Sequence, residues 1–310
     1  MTNEHETSMK RQAIIITAYR DQENLLRIIR HFADERHFRI YVHIDKRSSA
    51  IDERSLYALG ITSLVCVKKY SICWGSINHV KAILDLMQMA LEDSTIRYFH
   101  LISGADMPLH SSAWYVKKFI GCDVSYLDIR AFQGREKEFW YLFYHFPSTI
   151  TPHYHGTSRL HAIALFCDKW LCRIQNRLGV RRKSIGGIPA ARFRLGLLWG
   201  SFTRDACREF VQFRDGHPRF LRALNYTVVP EELYFATVIS EKKLPVSPQG
   251  NMRFSVWAKD RGFPAVLVKE DFEAMYRDDY FFARKVDTEK SATLLQRIAE
   301  RIALEERHSL

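Results

Sequence analysis

The chain has 310 residues, 47% of them hydrophobic and 26% charged, and a formal net charge of +11. That length can bury a large core, as one big domain or two small ones, and the composition is that of a folded protein rather than a disordered or fibrous one. No stretch reaches the ~18 apolar residues of a membrane span, and neither a low-complexity tract nor an internal repeat occurs.

The first ten residues, MTNEHETSMK, lack the apolar centre of a signal peptide and read as a short disordered start. Six scattered cysteines (Cys66, Cys73, Cys122, Cys167, Cys172, Cys207) form no CxxC pair and no zinc-finger spacing. Reduced, mostly buried thiols and a cytoplasmic location are therefore expected. The isoleucine-rich run QAIIITA (12–18) predicts a buried first strand, and 21–32 an amphipathic helix. RIYVHI (39–44) and 63–67 predict two more strands, 76–91 a long helix, and RYFHLI (97–102) a fourth strand. Strands alternating with helices imply a mixed, mainly parallel α/β sheet with helices on both faces. In such sheets ligands bind beyond the carboxyl ends of the strands. Asp45 and Asp106 both follow predicted strands, so each either contacts a ligand or caps the next turn. No GxGxxG or GxxxxGK[ST] cradle is present.

VSYLDI (124–129) predicts a further strand carrying Asp128. The segment 132–146 mixes Arg135, Glu136, Lys137 and Glu138 with Trp140, Tyr141, Tyr144 and His145. Such a mixture suits sugar recognition or, equally, an aromatic core edge. Residues 158–178 predict an amphipathic helix capped by Ser158, with Leu160, Ile163, Ala164, Cys167, Trp170, Leu171, Ile174 and Leu178 on one face and Arg159, Lys169, Arg173 and Arg177 off it. It either packs on its own domain or lies on an anionic membrane. From 155 to 225 stand 14 Lys/Arg against four Asp/Glu. Such a block attracts phosphates or lipid headgroups. No nucleic-acid-binding module accompanies it, so no nucleic-acid partner is expected. Residues 195–201 predict a turn that feeds a helix over 202–213. In 226–239, Pro230 opens a helix whose first turn carries Glu231 and Glu232. These carboxylates either stabilise the helix start or hold an acid at the mouth of a cleft. The C-terminal part offers RFSVW (253–257), then Arg261, then FFARKVD (281–287), and a polar amphipathic helix over 288–306.

Seven segments, in this order, carry a resemblance: YVHIDKRS (41–48), CWGSINHVKAILDLM (73–87), LISGADMPL (101–109), GSFTRDACREFV (200–211), VVPEELYFATVI (228–239), RFSVW and FFARKVD. The chain resembles the core-2/I-branching β-1,6-N-acetylglucosaminyltransferases and their peptide xylosyltransferase relatives. The resemblance implies a GT-A-like fold and an inverting transfer from a UDP-sugar to a hydroxyl, without a metal ion or other cofactor. The absence of an Asp-x-Asp motif agrees, and fixed cations can stabilise the departing diphosphate instead. The family's FANKFD-like lysine corresponds to Lys285, with Arg284 beside it. A second family cation corresponds to Arg261, with Arg253 as the alternative. The glutamate of the family's SPDE segment, its catalytic base, corresponds to Glu232, with Glu231 at the preceding acidic position. Asp45 corresponds to a uridine contact. Trp257, Asp128 (one methylene shorter than the family's glutamate), Arg135 and Lys137 correspond to acceptor contacts.

The missing cysteine-bridged stem implies a bacterial-type enzyme. One catalytic domain is expected over 11–310, with a nucleotide-binding half (11–125), an acceptor and catalytic half (126–287) and a C-terminal helix (288–310). The expected donor is UDP-N-acetylglucosamine first and UDP-xylose second. The expected acceptor is a glycan, free or lipid-linked at the inner membrane face. The alternative is a non-catalytic family member that binds anionic lipid or phosphorylated glycan through 155–225.

Overall fold

The computed structural model describes residues 10–132, 141–147, 159–258 and 262–308. Strands β1 (Arg11–Ala18), β2 (Phe38–Ile44), β3 (Leu64–Val67) and β4 (Ile96–Ser103) alternate with helices α1 (Gln22–His31), α2 (Glu53–Tyr57) and α3 (Ile77–Glu92). After β4 come β5 (Asp106–Pro108), α4 (Ser112–Phe119), α5 (Arg159–Arg177), β6 (Gly200–Thr203), α6 (Arg204–Gly216), α7 (Pro218–Ala223) and α8 (Pro230–Glu241). The chain continues through β7 (Arg253–Ser255), α9 (Phe272–Met275), β8 (Phe282–Arg284) and α10 (Ala292–His308). The central sheet has the order β6-β4-β1-β2-β3, parallel except for β6 against β4. A smaller sheet, β7-β8-β5, stands beside it.

The isoleucine run forms the sheet's centre because both of its faces are covered. Ala13 and Ile15 point to a core shared with Ile83, Leu84 and Met87 of α3, Phe210 of α6 and Phe235 of α8. Ile14 and Ile16 point the other way, to Leu25, Ile28 and Ile29 of α1 and Tyr115 and Phe119 of α4. Parallel register sets Ile14 opposite Ile40 of β2 and His100 of β4. The strand ends near Ala18, Ile44 and Ser103 thus lie along one edge. A third core joins Met107 and Ala283 of the small sheet to Leu294, Leu295, Ile298 and Ile302 of α10.

Four expectations need correction. The predicted turn at 195–201 ends in β6, because Gly200–Thr203 pairs antiparallel with Tyr98–Leu101 at the open edge of β4. The predicted strand 124–129 makes only isolated bridges, Ser125 with Val246 and Tyr126 with Ser201 of β6. The C-terminal helix begins at Ala292 rather than 288, because the Asp287 carboxylate accepts from Glu289 N and Lys290 N in a turn before it. All six cysteines are free, but only Cys172 and Cys207 are fully buried. Among the described residues no helix is long and apolar enough to cross a membrane.

Helix α5 spans its predicted range but turns its polar side inward. Asp168, Cys172 and Gln175 are buried, while Ile163, Phe166, Cys167, Trp170 and Ile174 are exposed. Specific hydrogen bonds hold this orientation. Asp168 accepts from Phe146 N at 2.8 Å and pairs with His145 Nδ1 at 2.9 Å. Gln175 accepts from Tyr144 N at 2.7 Å and donates to Tyr144 O at 2.8 Å.

Candidate active site

The site grows from the mouth of α8. Val229, just before it, adopts a left-handed conformation (φ 50°), and Pro230 then supplies a backbone already suited to the first helical turn. The helix is buried from Pro230 to Ile239 except at Glu232, which is half-buried. Gly75 lets the loop before α3 approach this point, since a Cβ there would lie 3.1 Å from Val229 N. Ser76 caps α3 by accepting from Asn78 N. His79, one residue further on, then reaches both elements. Its Nδ1 lies 3.6 Å from Glu231 Oε1, and its Nε2 3.2 Å from Thr17 Oγ1 near the end of β1.

The adjacent carboxylates have different surroundings. Glu231 is 5% exposed, and its Oε2 has no hydrogen-bond partner among the described residues. Glu232 Oε2 accepts from the Tyr141 hydroxyl at 2.9 Å. Burial, and then the neighbouring Glu232 charge, push the Tyr141 phenol well above its ordinary pKa, so it serves as a donor. The backbone of Glu232 is fixed as well, accepting from Gly196 N at 3.0 Å. A Cβ at 196 would stand 1.9 Å from Asp128 O, so only glycine permits this approach.

Cations gather at the end of β8. The Arg284 guanidinium sits 4.1 Å from the centroid of the Trp199 ring and donates to Ser103 Oγ at 2.8 Å and to the buried Asp106 carboxylate at 2.9 Å. Trp199 in turn lies 5.8 Å, centroid to centroid, from His79. A continuous line therefore runs from Glu231 through His79 and Trp199 to Arg284. Lys285 is half-buried next to it. Burial, and then the charges of Arg20 and Arg284, lower the Lys285 pKa. Arg20, exposed just beyond β1, completes a cluster of three positive groups at the strand ends. Cations crowded in this way favour a bound anion.

The family model of the Core-2/I-Branching enzymes matches residues 13–276. The chain belongs to that family. It is accordingly a glycosyltransferase of the core-2/I-branching type, and its mixed, mainly parallel sheet flanked by helices is the GT-A-like fold. A comparison with curated proteins finds no match.

Asp45 lies at the end of β2, where it accepts from Arg47 N at 2.8 Å, Ile72 N at 2.9 Å and the Arg47 guanidinium. Burial pushes its pKa up, but these hydrogen bonds outweigh it, and the net shift is downward. Asp106 is the ion-pair partner of Arg284. Arg253 is a core tie. It is 6% exposed and donates to Asn251 O, Gly200 O and Ser201 Oγ, and burial lowers its pKa to about 10. Both of its terminal nitrogens are turned to these partners. Asp128 accepts from Asn251 N at 3.1 Å, and burial raises its pKa. Trp257 is 55% exposed and lies 6.5 Å from the Phe263 ring. Arg135, Lys137 and Arg261 lie outside the described residues.

His79, Trp199, Tyr141 and Arg20 were not singled out as site residues from the sequence. Arg20 follows β1 just as Asp45 follows β2, so the strand-end rule could have found it. The other three meet the site only through tertiary contacts. The pair Asp278 and Asp279 lines a separate recess of about 510 Å³ with Gln249, Met252, Arg277 and Tyr280. Among the described residues one trio of metal-ligating side chains comes together, His145, Asp168 and Cys172, and it shares no member with the groups around Glu231 and Glu232.

Proposed function

We propose that this core-2/I-branching enzyme transfers a sugar from a UDP-sugar to a hydroxyl of a glycan acceptor, with inversion and without a metal ion. N-acetylglucosamine is the first candidate sugar and xylose the second, and the acceptor is a glycan, free or lipid-linked. One observation carries this reading: the line from Glu231, next to Glu232 in the first turn of α8, through His79 and Trp199 to Arg284, which ties the carboxylate-bearing helix mouth to the cation cluster at the strand ends.

In this mechanism Glu232 takes the proton of the acceptor hydroxyl as its oxygen attacks the anomeric carbon. The bond to the UDP oxygen breaks on the opposite face, and UDP departs with the electron pair. Arg284, Lys285 and Arg20 offset the charge that develops on the diphosphate. Tyr141 holds the carboxylate in place, and Glu231 and His79 fix the helix mouth to β1. Asp45 positions the loops at the end of β2, where the uridine is expected, and Trp257 offers an exposed ring to a sugar face.

A panel of UDP-sugars, assayed for UDP release with and without glycan acceptors, tests the reading. Turnover of UDP-N-acetylglucosamine or UDP-xylose, together with a rise in melting temperature on adding UDP, is the expected result. No thermal shift with UDP and no turnover of any member would contradict it.

A further inference from the structure

Helix α5 presents to solvent what a helix packed only on its own domain would bury. Ile163, Phe166, Trp170 and Ile174 are 58%, 61%, 47% and 52% exposed, and Leu178 just beyond the helix is 70% exposed. Their spacing of three and four residues forms one continuous stripe. Lys169, Arg173 and Arg177 are exposed alongside it at four-residue intervals, and Lys183 follows. The Arg173 guanidinium lies 5.3 Å from the centroid of the Trp170 ring, so charge and apolar surface are interleaved. On the opposite side, Asp168 and Gln175 are fastened to the 144–146 backbone. The orientation is therefore built in, and the apolar face is left outside. Contiguous apolar patches of this kind on a protein surface mark interaction sites.

Charge decides the occupant. A second copy laid stripe to stripe would bring two basic rows together. An anionic bilayer accepts both features, since its headgroup layer takes aromatic and aliphatic side chains and its phosphates take the cations. We propose that this face of α5 docks on an anionic lipid surface, with Ile163, Phe166, Trp170 and Ile174 at the headgroup–acyl boundary and Lys169, Arg173 and Arg177 against lipid phosphates. The docking goes beyond sugar transfer and does not rest on it.

Co-sedimentation with phosphatidylcholine vesicles, with and without phosphatidylglycerol, tests the proposal in the absence of any sugar donor. The wild-type protein is expected to bind the anionic vesicles, to release them as salt is raised, and to bind the neutral vesicles weakly. Phe166→Ser with Trp170→Ser, and separately Lys169→Glu with Arg173→Glu, should each reduce anionic-vesicle binding about tenfold or more. Melting temperature and UDP binding should not change, because these side chains point outward. The charge pair leaves the stripe intact, so the proposal stays testable if the serine pair folds poorly. Failure of the wild type to bind anionic vesicles, or equal binding by the variants, would overturn it. So would a wild-type dimer that the serine pair splits in sedimentation velocity, since a second copy would then cover the face.

Discussion

Helices α8 and α5 show opposite solutions to the same local pattern. Both are apolar stretches that carry charged residues. Helix α8 is buried on almost every side, which fixes its first turn and aims two carboxylates from a rigid base. Helix α5 is fastened by its polar side and shows its apolar side outward. The difference lies in how each helix is anchored. Apolar packing fixes α8, whereas a few specific hydrogen bonds fix α5 and leave its hydrophobic face exposed.

The sharpest way to break this contrast is at the α8 mouth. Glu232→Gln keeps the shape but removes the proposed base, and kcat should fall by roughly 10²–10⁴-fold while calorimetric UDP binding is retained. Wild-type turnover in this variant would remove Glu232 from the mechanism. Next comes Arg182, a buried cation whose guanidinium donates to Tyr141 O, to Thr227 Oγ1 and to Ala223 O, with its pKa lowered to about 10 by burial. It ties the segment that bears Tyr141 to the approach to α8. Arg182→Ala strands those acceptors and should cost about 2–4 kcal/mol in urea unfolding.

At the cation cluster, Lys285→Ala should weaken UDP binding about tenfold, read by titration calorimetry. The pH dependence has a definite sign. Burial and the cations Arg20 and Arg284 already favour the neutral amine of Lys285, and a bound diphosphate restores the charged form. Binding should thus take up a proton, and UDP affinity should fall as pH rises through the lowered lysine value. Lys285→Arg should move that loss to higher pH, because an arginine stays charged there. The smallest effect is expected from Tyr141→Phe, which removes one hydrogen bond from Glu232 and should slow turnover only several-fold, about 1 kcal/mol, with UDP binding unchanged.

Much of the sheet was legible because its signals are local. The QAIIITA run, the RIYVHI strand and the helix after Ser76 all lie within about two residues of their predicted bounds, since a fully buried strand or a long helix writes its period directly into the chain. Pro230 with Glu231 and Glu232 was readable for the same reason. Strand β6 was not, because four residues bounded by glycine gain their extended form from the free edge of β4. The period of α5 gave its faces but not the direction in which they turn. The hydrogen bonds of one glutamine and one aspartate, Gln175 and Asp168, set that direction, and they cannot be read from spacing. His79, Trp199 and Tyr141 lie 152, 32 and 91 positions from Glu231, Glu231 and Glu232, so only the fold joins them.

In the proposed mechanism fixed cations of the protein fill the role that a metal ion would otherwise take at the diphosphate. The most direct measurement is the initial rate of transfer from the accepted UDP-sugar by metal-stripped enzyme in excess EDTA, compared with the same enzyme in manganese or magnesium. Equal rates are predicted. A rate that vanishes in EDTA and returns with added metal would contradict the account.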